Sequence, residues 1–293
     1  MDVTEKRIQL ASRVRGRDFT IAPGVFDMIS ARIADRAQFD ALYMTGYGIA
    51  ASHLGLPDAG LASYTDMVGR AQRICAGTRT ALIADADTGF GGLLNVHHTV
   101  RGYEEAGVAA IQLEDQEFPK KCGHARGRRV IPLKDMLKKI EVALEARRDE
   151  NCLIIARTDA RTACGLDEAI SRGAAFAAAG ADVVFIESPE SEDEFRRISE
   201  SIDAPLLANM VEGGFSPVIS SDILNKLGFA IVIYPGTGFM SVAALLRSVY
   251  SHLRDTGSST GLAHEILPLA TMHELMGFEE VWAFDQRWAD PPE

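Results

Sequence analysis

Short apolar runs, rich in β-branched residues, alternate along the chain with longer amphipathic stretches. Apolar runs of about four to eight residues are typical of buried strands, and apolar residues three and four apart indicate helices. The amphipathic pattern predicts helices such as Met136–Arg147, Leu166–Ala179 and Ser221–Leu227. The apolar runs predict eight strands, which are Phe19–Ala22, Ala41–Thr45, Thr80–Asp85, Ala109–Glu114, Leu153–Arg157, Val183–Glu187, Pro205–Asn209 and Ala230–Tyr234.

Eight strand–helix units in about 250 residues predict an α/β fold, a closed (β/α)8 TIM barrel. The alternative is an open, doubly wound sheet, which a GxGxxG sequence after the first strand would favour, and the sequence has none there. We assign residues 1–257 to the barrel as one catalytic domain. Residues 258–293 predict a C-terminal helical extension that packs on a neighbouring subunit, with helices at Leu262–Met276 and Glu279–Arg287.

Six of the eight predicted strands end in polar residues. Stability alone would not select them, because buried charge is costly without a partner. In a barrel, catalytic side chains lie at or just past the carboxyl ends of the strands. These positions therefore predict an active site and disfavour a non-catalytic binding or scaffold barrel. The residues are Thr45, Asp85, Asp87, Glu114, Arg157, Asp159, Glu187 and Asn209.

Composition excludes several classes of function. The 293 residues contain 47 % hydrophobic residues and carry a net charge of −11, from 30 basic and 41 acidic side chains. A nucleic-acid binder would show a basic stripe, and a membrane span would need about 18 consecutive apolar residues; the sequence shows neither. Four cysteines without CxxC spacing, and no signal-peptide pattern, predict a reduced cytoplasmic protein without a zinc site or disulfide framework.

Asp85 and Asp87 are two residues apart, so on a regular strand their side chains would face the same side. Converging carboxylates attract Mg²⁺, which keeps several waters and takes further ligands from a substrate. The alternative is that one aspartate caps the following helix. Two aspartates together with Glu114 fit a metal site better, so we expect Mg²⁺, with Mn²⁺ as a possible substitute.

The run Lys120–His124 surrounds a cysteine with lysines, a glycine and a histidine. Most cysteines are small buried hydrophobic residues, which suits Cys75, Cys152 and Cys164. The polar setting of Cys122 instead predicts a reactive residue whose thiolate neighbouring cations stabilise. Gly123 lets the backbone turn beside it. Lys121 is expected to hold charge, Lys120 to be solvated, and His124 either to orient a carboxylate or to make a structural hydrogen bond.

Arg157 follows an apolar strand, and its guanidinium suits a bidentate grip on a carboxylate. The alternative is an ion pair with Asp159 or Glu187, and both can hold at once. Tyr47 and Tyr43 compete as proton acceptor or pocket wall, with barrel packing as the alternative. Asp58 either orients the residues around it or caps the next segment.

The chain resembles the isocitrate lyase/phosphoenolpyruvate mutase superfamily over roughly residues 15 to 255. It is most similar to the branch that contains methylisocitrate lyase, dimethylmalate lyase and oxaloacetate hydrolase, because phosphonate-handling members typically lack the lysine–cysteine–glycine–histidine run. The matching stretches are Tyr43-Met-Thr-Gly-Tyr-Gly48, Leu54-Gly-Leu-Pro-Asp58, Asp85-Ala-Asp-Thr-Gly-Phe-Gly91, Gln112-Leu-Glu-Asp-Gln116, Lys120-Lys-Cys-Gly-His124, Ile155-Ala-Arg-Thr-Asp159 and Ile186-Glu-Ser-Pro189.

The resemblance implies a role for several positions. The carboxylates at 85, 87 and 114 would surround the metal ion, some through water, and Cys122 would protonate the enolate-like fragment after carbon–carbon cleavage. Backbone N–H groups of Thr45, Gly46 and Tyr47 would bind the α-keto-acid carboxylate. Glu187 and Asn209 would contact the other half of the substrate or fix the arginine at 157.

One departure concerns the loop after the last strand. The family often has Pro-Leu-Ser or Pro-Leu-Thr there, then an arginine, whereas this chain has Pro235-Gly-Thr-Gly238 followed by Phe239 and Met240. Thr237 keeps the hydroxyl, but the arginine is absent. Substrate choice therefore does not transfer from methylisocitrate lyase.

The residues and the resemblance together predict a Mg²⁺-dependent lyase. It would cleave the C2–C3 bond of a 2-hydroxy di- or tricarboxylate, such as 2,3-dimethylmalate or methylisocitrate, to an α-keto acid and a carboxylate. The alternatives are oxaloacetate hydrolysis and phosphorus–carbon chemistry on phosphonopyruvate. The resemblance also implies a homotetramer, a dimer of dimers with exchanged C-terminal helices.

Overall fold

The computed structural model describes residues 2–289. Eight parallel strands form a closed barrel in which each strand pairs with its neighbours in sequence and the last pairs with the first. The predicted (β/α)8 barrel is therefore confirmed. The strands are β1 Thr20–Val25, β2 Ala41–Met44, β3 Ala81–Asp85, β4 Ala110–Glu114, β5 Leu153–Thr158, β6 Val183–Ile186, β7 Leu206–Asn209 and β8 Ile231–Tyr234.

All eight predicted strands are present, and the largest difference lies in β1. The predicted strand ends before Pro23, because proline removes a backbone donor from the ladder, whereas the observed strand continues to Val25. Gly24 allows this continuation. A Cβ atom at Gly24 would lie 2.5 Å from the carbonyl oxygen of Pro235, so only glycine lets the chain pass the end of β8.

Helices follow the strands around the outside of the barrel, and α1 precedes β1. A π-helical turn, Ala50–Leu54, follows α3. The helices are α1 Val3–Arg15, α2 Met28–Arg36, α3 Gly46–Ile49, α4 Tyr64–Gly77, α5 Leu93–Glu105, α6 Leu133–Ala146, α7 Ala160–Cys164, α8 Leu166–Ala178, α9 Glu192–Ser201, α10 Ser221–Lys226, α11 Thr237–Thr256, α12 Leu269–Met276 and α13 Phe278–Trp288.

The predicted helices at 136–147, 166–179, 221–227 and 279–287 correspond to α6, α8, α10 and α13. The prediction at 262–276 is wrong in its first half, because α12 begins only at Leu269. Pro268 explains the difference, since the residue before a proline is disfavoured in the helical conformation. Among residues 2–289, no helix is both long and apolar enough to cross a membrane.

Side chains alternate along each strand between the barrel interior and the surrounding helices. On β3, Ala81 and Ile83 belong to the interior cluster, whereas Leu82 and Ala84 belong to the cluster under the helices. This alternation directs Asp85 inward. It also directs inward the polar residues that end or follow four other strands, which are Glu114, Arg157, Glu187 and Asn209.

The chain divides into two compact units, Met1–Met240 and Ser241–Glu293. The division lies within α11, earlier than the predicted boundary at residue 257. The first unit contains the barrel. The second contains most of α11 together with α12 and α13, and its aromatic residues contact one another, as in the pair Phe278 and Trp282 with ring centroids 5.8 Å apart.

Candidate active site

A pocket of about 320 Å³ opens at the carboxyl ends of the barrel strands. Its position is where a (β/α)8 barrel places catalytic residues, because the loops after the strands converge there. The structure brings most of the predicted site residues to this pocket. The predicted residues that line it are Tyr43, Thr45, Tyr47, Asp58, Asp85, Cys122, Gly123, His124, Arg157, Glu187 and Asn209.

Two carboxylates share one space at the end of β3. A Cβ atom on Gly46 would lie 2.7 Å from Asp85 Oδ2 and 3.6 Å from Asp87 Oδ1, so both side chains face this glycine. Burial raises the pKa of Asp87 to about 7, and Asp85 and Asp58 add to the shift despite the opposing charge of Lys120. Crowded carboxylates of this kind are the donors that a hard cation prefers.

The third predicted metal ligand, Glu114, has other partners. Gln116 Nε2 donates to Glu114 Oε1 at 2.9 Å, and Arg157 Nε lies 3.4 Å from Glu114 Oε2. Within residues 2–289, no three His, Cys, Asp or Glu side chains are grouped closely enough to hold an ion together. The aspartate pair therefore fits an ion that keeps water ligands, as Mg²⁺ does. Neither aspartate caps the following helix, because the N-cap of α5 is Gly92.

The two lysines before Cys122 point in different directions. Lys120 is buried, and its Nζ lies 2.5 Å from Asp58 Oδ1 and 2.7 Å from Asp87 Oδ1. The expectation of a solvated Lys120 is therefore wrong, and Asp58 holds this ammonium group. Lys121 is exposed, and its Nζ donates to the carbonyl oxygen of Gly127 at 3.1 Å, outside the pocket lining.

Cys122 carries a proton at neutral pH. Burial raises the pKa of its thiol to about 11, and this outweighs the hydrogen bond from the His124 backbone and the charges of Lys120 and Arg157. The expectation that neighbouring cations stabilise a thiolate is therefore wrong. A neutral thiol is the form that a proton donor needs. Cys164, expected to be buried, is exposed at the end of α7.

Arg157 lies in a buried network of ion pairs. Its Nε and Nη2 each donate to a carboxylate oxygen of Asp159 at 2.9 Å, and its Nη1 lies 3.4 Å from Glu187 Oε2. Arg128 Nη1 holds the same Asp159 at 2.5 Å. Any side chain on Gly123 would collide with the Arg157 guanidinium and lie 2.6 Å from Glu187 Oε2. Glycine therefore allows the loop to close directly over this network.

His124 is a neutral imidazole with a fixed tautomer. Phe215 donates its backbone N–H to His124 Nδ1 at 3.0 Å, so Nδ1 carries no proton. Burial lowers the pKa of the ring, although Glu187 opposes this shift. Nε2 lies 3.4 Å from Glu187 Oε1 and 3.5 Å from Asn209 Nδ2, and the His124 side chain lines the pocket. His124 thus makes a structural hydrogen bond at Nδ1 and offers a donor at Nε2.

Glu187 and Asn209 interact with each other beneath the arginine. Asn209 Nδ2 donates to Glu187 Oε2 at 2.9 Å. Burial raises the pKa of Glu187, but nearby positive charge, chiefly that of Arg157, outweighs it, so the pKa lies below its usual range. Asn209 Oδ1 is buried without a hydrogen-bond partner among residues 2–289. This oxygen is available to accept a hydrogen bond from a bound molecule.

The two candidate tyrosines have different surroundings. Tyr43 donates its phenol proton to Gln112 Oε1 at 2.9 Å, and burial raises its pKa well above the usual value. Tyr43 is therefore not placed to accept a proton. Tyr47 is 42 % exposed, and its ring lies at the pocket wall with its centroid 5.1 Å from that of Phe239.

Of the two candidate threonines, one lines the pocket and the other does not. Thr45 lines the pocket, and its hydroxyl oxygen accepts the backbone N–H of Gly48 at 3.4 Å, which caps α3. Thr237 lies outside the pocket lining. It is exposed, and its hydroxyl donates to Glu212 Oε1 at 2.7 Å.

Sequence reasoning assigned no role to Gln116, Arg128 or Met240. The Gln116 side chain donates to Glu114 and exchanges two hydrogen bonds with the backbone of Lys121. It therefore connects Glu114 to the catalytic loop, defined here as Lys120–His124. Its spacing of two from Glu114 is the signal that could have identified it. Arg128 had no comparable signal, because its position in a basic stretch resembles that of solvated neighbours.

The closed barrel and the polar pocket at its strand ends define a (β/α)8-barrel enzyme. The model of the phosphoenolpyruvate phosphomutase family matches residues 10–254. The chain belongs to this family, within the phosphoenolpyruvate mutase/isocitrate lyase superfamily, so the resemblance inferred from the motifs is confirmed.

Known relatives cover nearly the whole chain. It is 45 % identical to 2,3-dimethylmalate lyase of Eubacterium barkeri, over 93 % of this chain and 94 % of the relative. It is 40 % identical to 2-methylisocitrate lyase of Aeropyrum pernix, over 92 % and 87 %. A solved structure of oxaloacetate acetylhydrolase with the inhibitor 3,3-difluorooxalacetate matches with a TM-score of 0.93 and 33 % identity over 100 % of both chains. The lyase-named relatives confirm the predicted enzyme class, a carbon–carbon lyase.

Proposed function

We propose that this enzyme cleaves the C2–C3 bond of a 2-hydroxy di- or tricarboxylate, such as 2,3-dimethylmalate or 2-methylisocitrate, in a Mg²⁺-dependent reaction. The products are an α-keto acid and a carboxylate. One observation carries the proposal: three chemical groups line one pocket. They are the protonated thiol of Cys122, the guanidinium of Arg157 and the carboxylate of Asp85, which suits a metal ion. Cleavage next to a hydroxyl needs these three functions in one place.

Asp85 and Asp87 are the residues that would hold the ion, with Glu114 reached through water. Both aspartates face the space beside Gly46, and both are oxygen donors. Bound there, Mg²⁺ or Mn²⁺ supplies positive charge beside the substrate's hydroxyl and carboxylate and lowers the pKa of the hydroxyl.

The residues of the chain then move the protons. Tyr47 passes its own phenol proton to water and takes up the hydroxyl proton on the same oxygen. Backbone N–H groups of Gly46 and Tyr47, at the start of α3, hold the carboxylate of the emerging α-keto acid. The expected contribution of Thr45 is wrong, because its N–H donates to the carbonyl oxygen of Val25 at 3.2 Å. When C2–C3 breaks, its electron pair remains on the departing carbon as an aci-carboxylate dianion. Arg157 and the Nε2–H of His124 stabilise this charge. Cys122 donates its thiol proton to that carbon and recovers a proton from water.

Hydrolysis of oxaloacetate is a second candidate function. The full-length structural similarity to oxaloacetate acetylhydrolase favours it. Water would be the nucleophile, Cys122 would keep its role as proton donor, and the products would be oxalate and acetate.

Phosphorus–carbon chemistry on phosphonopyruvate is a third candidate function, and the description of the matching family model favours it. Cys122 would have no evident task in that reaction. Free phosphate or an isomerised phosphonate would be the product.

The test is a product screen by mass spectrometry in Mg²⁺ and in excess chelator. The panel contains malate, 2-methylmalate, 2,3-dimethylmalate, isocitrate, 2-methylisocitrate, oxaloacetate and phosphonopyruvate. We expect a keto acid from a hydroxy acid, lost in chelator. Cys122→Ser should lower turnover about a hundredfold or more, whereas the exposed control Cys164→Ser should retain it. Oxalate or phosphate as the product, or turnover by Cys122→Ser at the wild-type rate, would reject the lyase mechanism.

We also propose a cytoplasmic location and a homotetramer with exchanged C-terminal helices. The four cysteines are free thiols, which supports a reducing compartment. Exposed apolar side chains in Ser241–Glu293 support association between subunits.

A further inference from the structure

One side of the pocket is apolar. It is formed by Tyr47, Val211, Phe239 and Met240, called here the apolar wall. The Phe239 ring lies 5.1 Å from that of Tyr47 and 6.3 Å from that of Phe26. Phe239 therefore packs between two other aromatic side chains.

Two glycines make room for the apolar wall. A Cβ atom on Gly236 would lie 2.8 Å from the terminal methyl of Met240, and one on Gly48 would lie 3.3 Å from the ring of Phe239. Separations below about 3.4 Å are tighter than van der Waals contact. Larger residues at these two positions would therefore push Phe239 and Met240 out of their present places.

The positive charge of the pocket lies in two places. Among residues 2–289, the pocket lining contains two permanent cations, Lys120 and Arg157. Lys120 pairs with Asp58 and Asp87, on the side of the carboxylate pair. Arg157 lies with Glu187 on the other side. One substrate carboxylate can be held on each side, by the metal ion and by the arginine.

A third carboxylate would have no cationic partner. The apolar wall carries no charge. Glu212, which follows Val211 in the sequence, also lines the pocket and is acidic. Burying a carboxylate there would leave it unpaired, which is costly, and Glu212 would repel it. An alkyl group against the same surface would instead be removed from water favourably.

We propose that the apolar wall selects the substrate: it receives an alkyl substituent, so the enzyme acts on alkyl-branched 2-hydroxy dicarboxylates and rejects tricarboxylates. Met240 and Phe239 are the specificity-determining residues. This proposal rests on the lyase function proposed above and narrows its substrate class. In this arrangement one substrate carboxylate lies beside the metal ion at Asp85 and Asp87, the other lies beside Arg157, and the alkyl branch contacts the apolar wall.

The test compares kcat/KM for malate, 2-methylmalate, 2,3-dimethylmalate and 3-propylmalate with kcat/KM for isocitrate and 2-methylisocitrate. We expect kcat/KM to rise about fourfold for each methylene or methyl group that reaches the wall. The preferred dicarboxylate should exceed both tricarboxylates by about a hundredfold or more, since an unpaired buried charge is rejected more strongly than a missing methyl group. A kcat/KM for either tricarboxylate that equals or exceeds that of the alkylmalates would overturn the proposal.

Met240→Arg tests the wall directly, with Met240→Leu as the matched control. The arginine should reduce the preference for dicarboxylates by about tenfold or more, because it supplies the missing cation. Leucine keeps an apolar side chain of similar size and should leave the preference within about threefold. An unchanged preference in Met240→Arg, with circular dichroism matching the wild type, would contradict the assignment of Met240.

A binding measurement tests the proposed role of the apolar wall independently of the proposed lyase function. Isothermal titration in Mg²⁺ buffer compares 2,3-dimethylsuccinate with propane-1,2,3-tricarboxylate, neither of which has a hydroxyl to react. Tighter binding of dimethylsuccinate supports the wall even if no hydroxy acid is cleaved. Equal or tighter binding of the tricarboxylate, or no binding of either, rejects the wall even if cleavage occurs.

Discussion

At the scale of single residues, the balance between burial and charge decides the chemistry of Cys122. Its neighbours in sequence are basic, which would favour a thiolate. Lys120 is instead held by Asp58, Lys121 faces solvent, and His124 is neutral. Burial of the thiol therefore outweighs the charges that remain nearby. The result is a stored proton on sulfur, ready for transfer to a carbanion-like carbon.

Alkylation measures this protonation state. The thiol form of Cys122 dominates below its pKa of about 11 and is lost as pH rises through that value. At pH 8 the thiolate fraction is about one in a thousand, so iodoacetamide should modify Cys122 slowly. The exposed Cys164 of the same molecule is the internal control and should react first in peptide mass spectra. Faster modification of Cys122 than of Cys164 at pH 8 would contradict a raised thiol pKa.

At the scale of elements, strand alternation made much of the site predictable. Residues that end or follow apolar runs point inward with a period of two, and this brings Asp85, Arg157 and Glu187 to one pocket. The opposite directions of Lys120 and Lys121 were not predictable, because they depend on contacts with residues distant in sequence. Asp58, which fixes Lys120, lies 62 residues away. Loop conformation of this kind follows from tertiary contacts and not from local pattern.

The loop after β4 depends on one side chain, Gln116. It donates to Glu114 Oε1 at 2.9 Å and to the Lys121 carbonyl oxygen at 2.7 Å, and it accepts the Lys121 N–H at 3.0 Å. Strand and catalytic loop are therefore joined by three hydrogen bonds. A leucine at this position would fill similar space but make none of them.

We expect Gln116→Leu to lower the free energy of unfolding by about 1–3 kcal/mol, because buried polar groups lose their partners. Loss of loop alignment should lower kcat about tenfold to a hundredfold. The amide of Lys121 should exchange with deuterium faster, as measured by mass spectrometry or NMR. Glu117→Gln is the control, since the Glu117 side chain pairs with the exposed Arg129 in a 2.6 Å contact at the surface. Unchanged Lys121 exchange in Gln116→Leu would show that the loop is held elsewhere.

At the scale of the whole molecule, the two units have different surfaces. The barrel unit buries most of its apolar residues in two clusters, one inside the barrel and one under the helices. In Ser241–Glu293, by contrast, Leu275 is the buried large hydrophobic residue of the described part, and many others are exposed. Contiguous exposed apolar surface marks a site of association. The exposed apolar side chains of the second unit therefore support the proposed association, in which a second copy of this chain covers them.

Light scattering after size exclusion tests this assembly. The proposed homotetramer should have four times the chain mass of 31.7 kDa. Trp282 and Phe284 are 50 % and 55 % exposed, so the double variant Trp282→Lys, Phe284→Lys should shift the mass towards smaller species by placing charges in the interface. Leu94 is 81 % exposed in the barrel unit, and the control Leu94→Lys should leave the mass unchanged. A wild-type mass equal to one chain would reject the tetramer, and a double variant with the wild-type mass would exclude this part of α13 from the interface.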